Sequence, residues 1–185
     1  MIATGEMGIG NTTTSSAVVS VLLDRDPEEV TGRGAGLTTD GLHRKVEAIR
    51  KAVQVNAPDP EDAVDVLAKV GGLDIAGLAG VFLGGAICHI PIVIDGFISS
   101  AAARCAARIA PEAADYMTPS HRSREPAGGM VLGGLDRSPF IECGMSLGEG
   151  SGAVDVIPLL EVGLEVYNRR GTFDEIKIEK YEAQK

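Results

Sequence analysis

Two glutamates in this chain are set among glycines, and that setting suits acid–base chemistry. Glu6 lies in Gly5-Glu6-Met7-Gly8-Ile9-Gly10-Asn11, and Glu149 in Leu147-Gly148-Glu149-Gly150-Ser151-Gly152. A solvated surface glutamate has no use for such neighbours. Glycine is wanted where the backbone takes positive φ or closely approaches another group. A carboxylate carried on such a bend can face a substrate while nearby N–H groups face an anion. The pair reads as the two acids of one active site, with Glu149 as the proton acceptor. Taken singly, each loop reads equally well as an ordinary strand-to-helix turn; together they favour a site.

Other chemistries find less support. His43, His89 and His121 are scattered over a helix, the end of an apolar helix and a polar loop, without cysteine or histidine at ligand spacing, so no zinc site is predicted. His89 reads as a core residue. His121, beside Arg122, Ser123 and Arg124, reads as a ligand contact. Cys105 and Cys143 have no pattern that would make them nucleophiles, and no Gly-x-Ser-x-Gly elbow occurs. Gly8-Ile9-Gly10-Asn11-Thr12-Thr13 lacks the third glycine of the dinucleotide fingerprint, and Gly32-Arg33-Gly34-Ala35-Gly36 breaks that spacing too. Neither bend has the lysine and hydroxyl order of a P-loop. A phosphate cradle of N–H groups remains open.

The elements that must position these residues alternate strand, bend and helix, the pattern of a doubly wound, mostly parallel sheet flanked by helices, in which ligands collect at the C-terminal strand ends. Met1-Ile2-Ala3-Thr4 leaves almost no strand ahead of the first glycine loop. Thr12–Leu23 reads as a helix capped by Asn11 or Thr12, its N-terminus an anion site beside Gly8 and Gly10. A glycine-rich bend over 30–37 precedes an amphipathic helix from Thr39 to Gln54, with Leu42, Val46, Ile49 and Val53 on one face. Arg44 and Lys45 sit in its first turns, where cations do not offset the dipole; that points to a ligand. Asp59 is expected to cap one helix, ending near Val70, and Asp74 another, ending near His89. Pro91–Ile94 reads as a buried strand ended by Asp95-Gly96, Phe97–Ala110 as a helix and Asp115–Pro119 as a strand. The polar loop Ser120–Pro126 follows, then a segment over 140–147 that mixes strand-like and turn-like residues. From Gly150 to Val166 a helix is expected, in which Pro158 starts a turn or kinks the axis. Residues 1–172 read as one α/β domain and 173–185 as a charged tail that frays.

Composition bounds the partners. The chain has 185 residues and a net charge of −9, which argues against nonspecific nucleic-acid binding for want of displaced counterions. Cys88, Cys105 and Cys143 are odd in number and far apart, so they read as reduced core residues of a cytoplasmic protein. The apolar stretch Leu73–Ile94 is interrupted by Asp74, His89 and glycines, and reads as a buried helix and strand rather than a membrane span.

Both glutamate strings, with Gly32-Arg33-Gly34-Ala35-Gly36-Leu37 and Ser120-His121-Arg122-Ser123-Arg124-Glu125-Pro126 in that order, resemble the nicotinate-nucleotide–dimethylbenzimidazole phosphoribosyltransferases over about residues 4–170. The resemblance is to the second half of that family's chain, and implies that the family's N-terminal strands and part of its base pocket are missing. It implies a Rossmann-like fold, a homodimer, and transfer of 5-phosphoribose from nicotinate mononucleotide to 5,6-dimethylbenzimidazole in cobalamin nucleotide-loop assembly. The donor nitrogen is already a cationic pyridinium and no pyrophosphate needs neutralising, so neither metal nor cofactor is implied. By resemblance Glu149 is the base, a buried carboxylate, and Glu6 its companion. Gly34, Lys45 and Ser123 hold the phosphate, with His121 also touching a ligand. Gly8, Gly10 and Asn11 shape the ribose side, and Leu147 and Gly148 line the acceptor. The alternatives are a truncated, non-catalytic nucleotide-binding module of the same fold, and a dinucleotide-dependent dehydrogenase.

Overall fold

The computed structural model describes residues 1–171, 173–177 and 179. In chain order the elements are β1 (Ile2–Ala3), α1 (Asn11–Leu23), α2 (Pro27–Val30), α3 (Thr39–Asn56), α4 (Ala63–Val70), α5 (Leu73–Ile87), β2 (Ile92–Ile94) and α6 (Phe97–Ile109). A short 3-10 helix (Pro111–Tyr116), β3 (Met117–Pro119), α7 (Gly128–Gly134), α8 (Ser151–Arg169) and α9 (Phe173–Ile176) complete them. The three strands form a parallel sheet in the order β1-β2-β3, with Ala3 opposite Val93 and Val93 opposite Thr118.

β2 shows why helices cover both faces. Its three residues are fully buried and successive side chains point oppositely, so both faces of the strand must be covered. Ile92 and Ile94 enter the main core with Phe82, Ile75 and Ile49 of the α5 and α3 side. Val93 turns the other way, onto Ala153 and Val156 of α8. Burying side chains of this size stabilises by roughly 1.5–3 kcal/mol each. The expected apolar face of α3 is present, with Val46 and Ile49 buried.

Several local expectations are corrected. Gly10, not Asn11 or Thr12, precedes α1, at φ 88°, a value that disfavours any residue with a Cβ. Asp62 rather than Asp59 caps α4, accepting from the N–H groups of Val64 and Asp65. Asp59 instead closes a turn by accepting from the Glu61 N–H. α5 begins after Gly72, and Asp74 lies inside its first turn, its carboxylate turned to Asn11. β3 is shorter than expected because the 3-10 turn takes up Asp115 and Tyr116. Pro158 sits inside α8, which continues to Arg169; the helix is exposed there, so the acceptor orphaned by the missing N–H can meet water.

His89 is not a core residue. It is exposed at φ 54°, with Nδ1 2.5 Å from the Tyr116 hydroxyl. Of the three cysteines, all free thiols, only Cys105 is buried, and burial pushes its pKa up to about 12; Cys88 and Cys143 are exposed. Much of the tail expected to fray lies outside the described residues. No described helix is long and apolar enough to cross a membrane.

Candidate active site at the strand ends

The C-terminal ends of the three parallel strands feed the loops that line one cleft of about 230 Å³. From the β1 end come Glu6, Gly8 and Thr12, and from the β2 end Asp95 and Gly96 with Phe97, Ile98 and Ser99 of α6. His121, Ser123 and Glu125 follow β3. Gly34 and Ala35 come from the glycine bend, and Ser146 through Glu149 from the loop before α8. Eight of the predicted site residues therefore share one surface: Glu6, Gly8, Gly34, His121, Ser123, Leu147, Gly148 and Glu149.

The two glutamate loops touch. The Glu149 N–H donates to the Glu6 carbonyl at 3.1 Å. A Cβ on Gly5 would lie 2.4 Å from the Gly150 nitrogen, so glycine at 5 is required for the loops to close on each other. Gly148, Glu149 and Gly150 all take positive φ, at 75°, 58° and 85°. For the glutamate this conformation costs about 1–3 kcal/mol and persists only because its surroundings impose it. One expectation fails here: Glu149 is exposed, not buried. Glu6 is half-buried, and its Oε1 accepts from the Met7 N–H at 3.1 Å and from Asn11 Nδ2 at 3.3 Å.

Gly10, Asn11 and Lys45 do not line the cleft; Gly10 is exposed at the start of α1, and Asn11 and Lys45 bond to residues that do line it. Asn11 ties Glu6 to Asp74, donating to Asp74 Oδ2 at 2.9 Å. Lys45 is buried, with Nζ donating to Thr12 Oγ1 at 2.9 Å and to the Gly32 carbonyl at 3.0 Å. Burial lowers its pKa, and the Glu125 carboxylate opposes that shift. Gly34, at φ 54°, packs so closely that an added Cβ would lie 2.8 Å from Thr12 Oγ1. Thr12, Gly34 and Lys45 thus form a compact group whose cation is set beneath the bend.

Thr12, Glu125, Ser99 and Asp95 are among the lining residues that sequence reasoning did not single out as site members. Thr12 was read only as a helix start, Glu125 only as part of a motif and Ser99 only as a helix residue. The fourth, Asp95, was read as a strand terminator; it is 2% exposed and accepts from the N–H groups of Gly150 and Ala153, both at 3.1 Å. The available signal was positional, since a strand end followed by glycine and a helix is where doubly wound sheets place ligands. α6 adds an N-terminus with no side-chain cap and no acid in its first turn, so its free N–H groups and partial positive charge lie at the cleft.

His121 is 2% exposed, its Nδ1 3.0 Å from Ser120 Oγ. Burial lowers its pKa below the ordinary 6.5, with Asp95 and Asp155 opposing. In the window below 6.5 the unfolded chain therefore binds a proton that the folded chain resists. Stability contributed by His121 is complete above that value and is lost as pH falls towards the lowered folded pKa. Urea titrations of the wild type and His121→Gln from about pH 7.5 to about pH 5.5 should show the steeper loss in the wild type. Parallel curves would mean that His121 titrates alike in both states.

Comparison with known proteins agrees with this geometry. A family model described as "Phosphoribosyltransferase" matches residues 1–178. The nicotinate-nucleotide–dimethylbenzimidazole phosphoribosyltransferase of Ruminiclostridium cellulolyticum is 51% identical over 98% of this chain and 51% of its own. That of Acetivibrio thermocellus is 48% identical over 100% of this chain and 52% of its own. The crystal structure of CobT from Thermus thermophilus superposes with a TM-score of 0.88 at 37% identity, over 96% of this chain and 53% of that one. The chain spans about half the length of the curated relatives it matches. It belongs to the phosphoribosyltransferase family in which these relatives are found.

Proposed function

We propose that residues 1–172 form a phosphoribosyltransferase unit that moves 5-phosphoribose from nicotinate mononucleotide to 5,6-dimethylbenzimidazole, giving α-ribazole 5'-phosphate and nicotinate. The observation that carries this reading is the direct bond joining the two glutamate loops across one cleft, with Thr12 and Gly34 on the same cleft and Lys45 bonded to Thr12 from behind it. One ring nitrogen of the base attacks the ribose C1', and the C1'–nitrogen bond to nicotinate breaks with its electron pair going to the leaving ring. The proton on the other ring nitrogen goes to the Glu149 carboxylate. Glu6 faces the positive charge that develops on the ribose. A flat base laid on Leu147 and Gly148 would itself displace water from Glu149, which is how an exposed carboxylate can act as a general base here.

The phosphate belongs to the other group of lining residues. Gly34 and Ser123 supply donors, the uncapped start of α6 adds free N–H groups, and Lys45 supplies charge from behind, with Gly8 on the ribose side. Lys45→Ala should weaken nicotinate mononucleotide binding by roughly tenfold to a hundredfold, as expected for a partly desolvated charged contact, while leaving base affinity unchanged. Calorimetry with each substrate separately checks this; an unaltered donor affinity would reduce Lys45 to a structural bolt between α3 and α1. We also infer a cytoplasmic homodimer. Free thiols suit a reducing compartment. The outer face of α5, with Leu73 93% and Ile87 79% exposed, offers an apolar surface for a second copy.

The test is whether the purified chain releases nicotinate when given both substrates. Donor binding without release supports the second reading, a non-catalytic nucleotide-binding module, which the exposure of Glu149 favours. Tight binding of a nicotinamide dinucleotide instead would favour a dehydrogenase.

A further inference from the structure

We propose that Asp95 is the positioning residue for Glu149, holding the proton-accepting loop in its left-handed conformation from across the fold. α8 has no side-chain cap of its own and no acid in its first turn. Its nearest candidate, Ser151, spends its hydroxyl on the Gly148 carbonyl at 2.8 Å. The free N–H groups at the start of α8 are instead met by a carboxylate 55 residues away in sequence. Oδ2 accepts from the Gly150 N–H and Oδ1 from the Ala153 N–H, so both oxygens are engaged on the turn that carries Glu149.

Asp95 is well suited to that task. It follows β2, the central strand, so its backbone is fixed by the sheet on both sides. The Ser120 hydroxyl donates to its carbonyl at 3.2 Å, tying it also to the loop after β3. Its side chain is 2% exposed, so the carboxylate keeps little hydration of its own and depends on those two amides. Held charge at a helix N-terminus is favourable, and charge-assisted bonds to backbone N–H groups are among the stronger ones. The Glu149 side chain makes no such anchoring bond among the described residues. What places it is the backbone turn, held by Asp95 on one side and by the Glu6 carbonyl on the other.

Asparagine at this position is not a conservative change. It has one acceptor oxygen, and its NH2 would face an N–H donor, so either Gly150 or Ala153 loses its partner. The inference rests on the proposed function for its catalytic arm, and its structural arm stands without it.

The experiment compares wild type, Asp95→Asn, Glu149→Gln and the double variant by amide exchange, backbone chemical shifts, donor calorimetry and nicotinate release. In D95N the amides of Gly150 and Ala153 should lose protection, and the Glu149 shifts should leave the left-handed range, while donor affinity is retained. Turnover should fall by about 10²-fold, the usual effect of a misplaced catalytic group. The double variant should be no worse than E149Q alone, because residues acting as a unit are non-additive. Unchanged protection and shifts in D95N overturn the positioning role whether or not the chain turns over. Additive losses overturn it too. A wild-type chain that neither binds donor nor releases nicotinate sinks the proposed function, while the exchange and shift data still decide the role of Asp95. Should D95N melt below the assay temperature, Asp95→Glu is put through the same comparison; it keeps both acceptors and shifts them by one methylene, and a Glu149 turn unmoved by it overturns the inference.

Discussion

Glu149→Gln is expected to lower turnover by about 10²–10⁴-fold, the range that a positioned general base supplies, with nicotinate mononucleotide affinity unchanged. Glutamine keeps the size, the backbone and the N–H donors of the loop, and removes only the ability to take up a proton. Glu149 is exposed, so the substitution should alter stability by no more than about 0.5 kcal/mol, as at other surface positions. Steady-state nicotinate release, calorimetry and a melting curve together check the three statements. Wild-type turnover would remove Glu149 from the mechanism. A loss of turnover with an equal loss of folding would mean that the loop, rather than the carboxylate, had been changed.

Gly5→Ala is expected to be a strongly damaging single-methyl change. The new Cβ would lie 2.4 Å from the Gly150 nitrogen, 2.6 Å from its Cα and 2.8 Å from the Glu149 carbonyl carbon. All three are backbone atoms, so no side-chain rotation relieves the contact. One glutamate loop must move off the other, breaking the Glu149 N–H to Glu6 bond. Overpacking of this kind costs about 1–3 kcal/mol, and for a chain of this length each kcal/mol lowers Tm by about 2–4 °C. Separating the two carboxylates should also cost activity by about 10²-fold. A G5A chain with wild-type Tm and turnover would show that the two loops are not packed as described. By contrast an alanine at Gly77 or Gly80, where nothing lies within 4 Å of the added Cβ, should be tolerated sterically.

Much of this protein was legible in its residues. Glycine clusters around acids announced tight bends, because only glycine reaches positive φ freely, and the bends proved to share one cleft. Ile92-Val93-Ile94 could be read as a strand covered on both faces, since it is apolar throughout and bounded by Pro91 and Asp95-Gly96. The α3 stripe was readable from its period. These are local properties, fixed by backbone sterics and by the spacing of apolar side chains along one element.

What the residues alone left undecided depends on distance in space. Asp59, Asp62 and Asp74 all have the type of a helix cap, and only packing selected Asp62 and turned Asp74 towards Asn11. Lys45 was identified as out of place in its helix, but its position beneath Gly34 rather than on the cleft follows from how α3 meets α1. Asp95 gave no local sign of reaching α8, because its partners lie 55 and 58 residues away. The exposure of Glu149 was equally invisible, since burial is a property of everything that packs around a residue. Sequence specifies which bends and stripes can form; desolvation, long-range capping and the meeting of loops arise only once the sheet has brought its strand ends together.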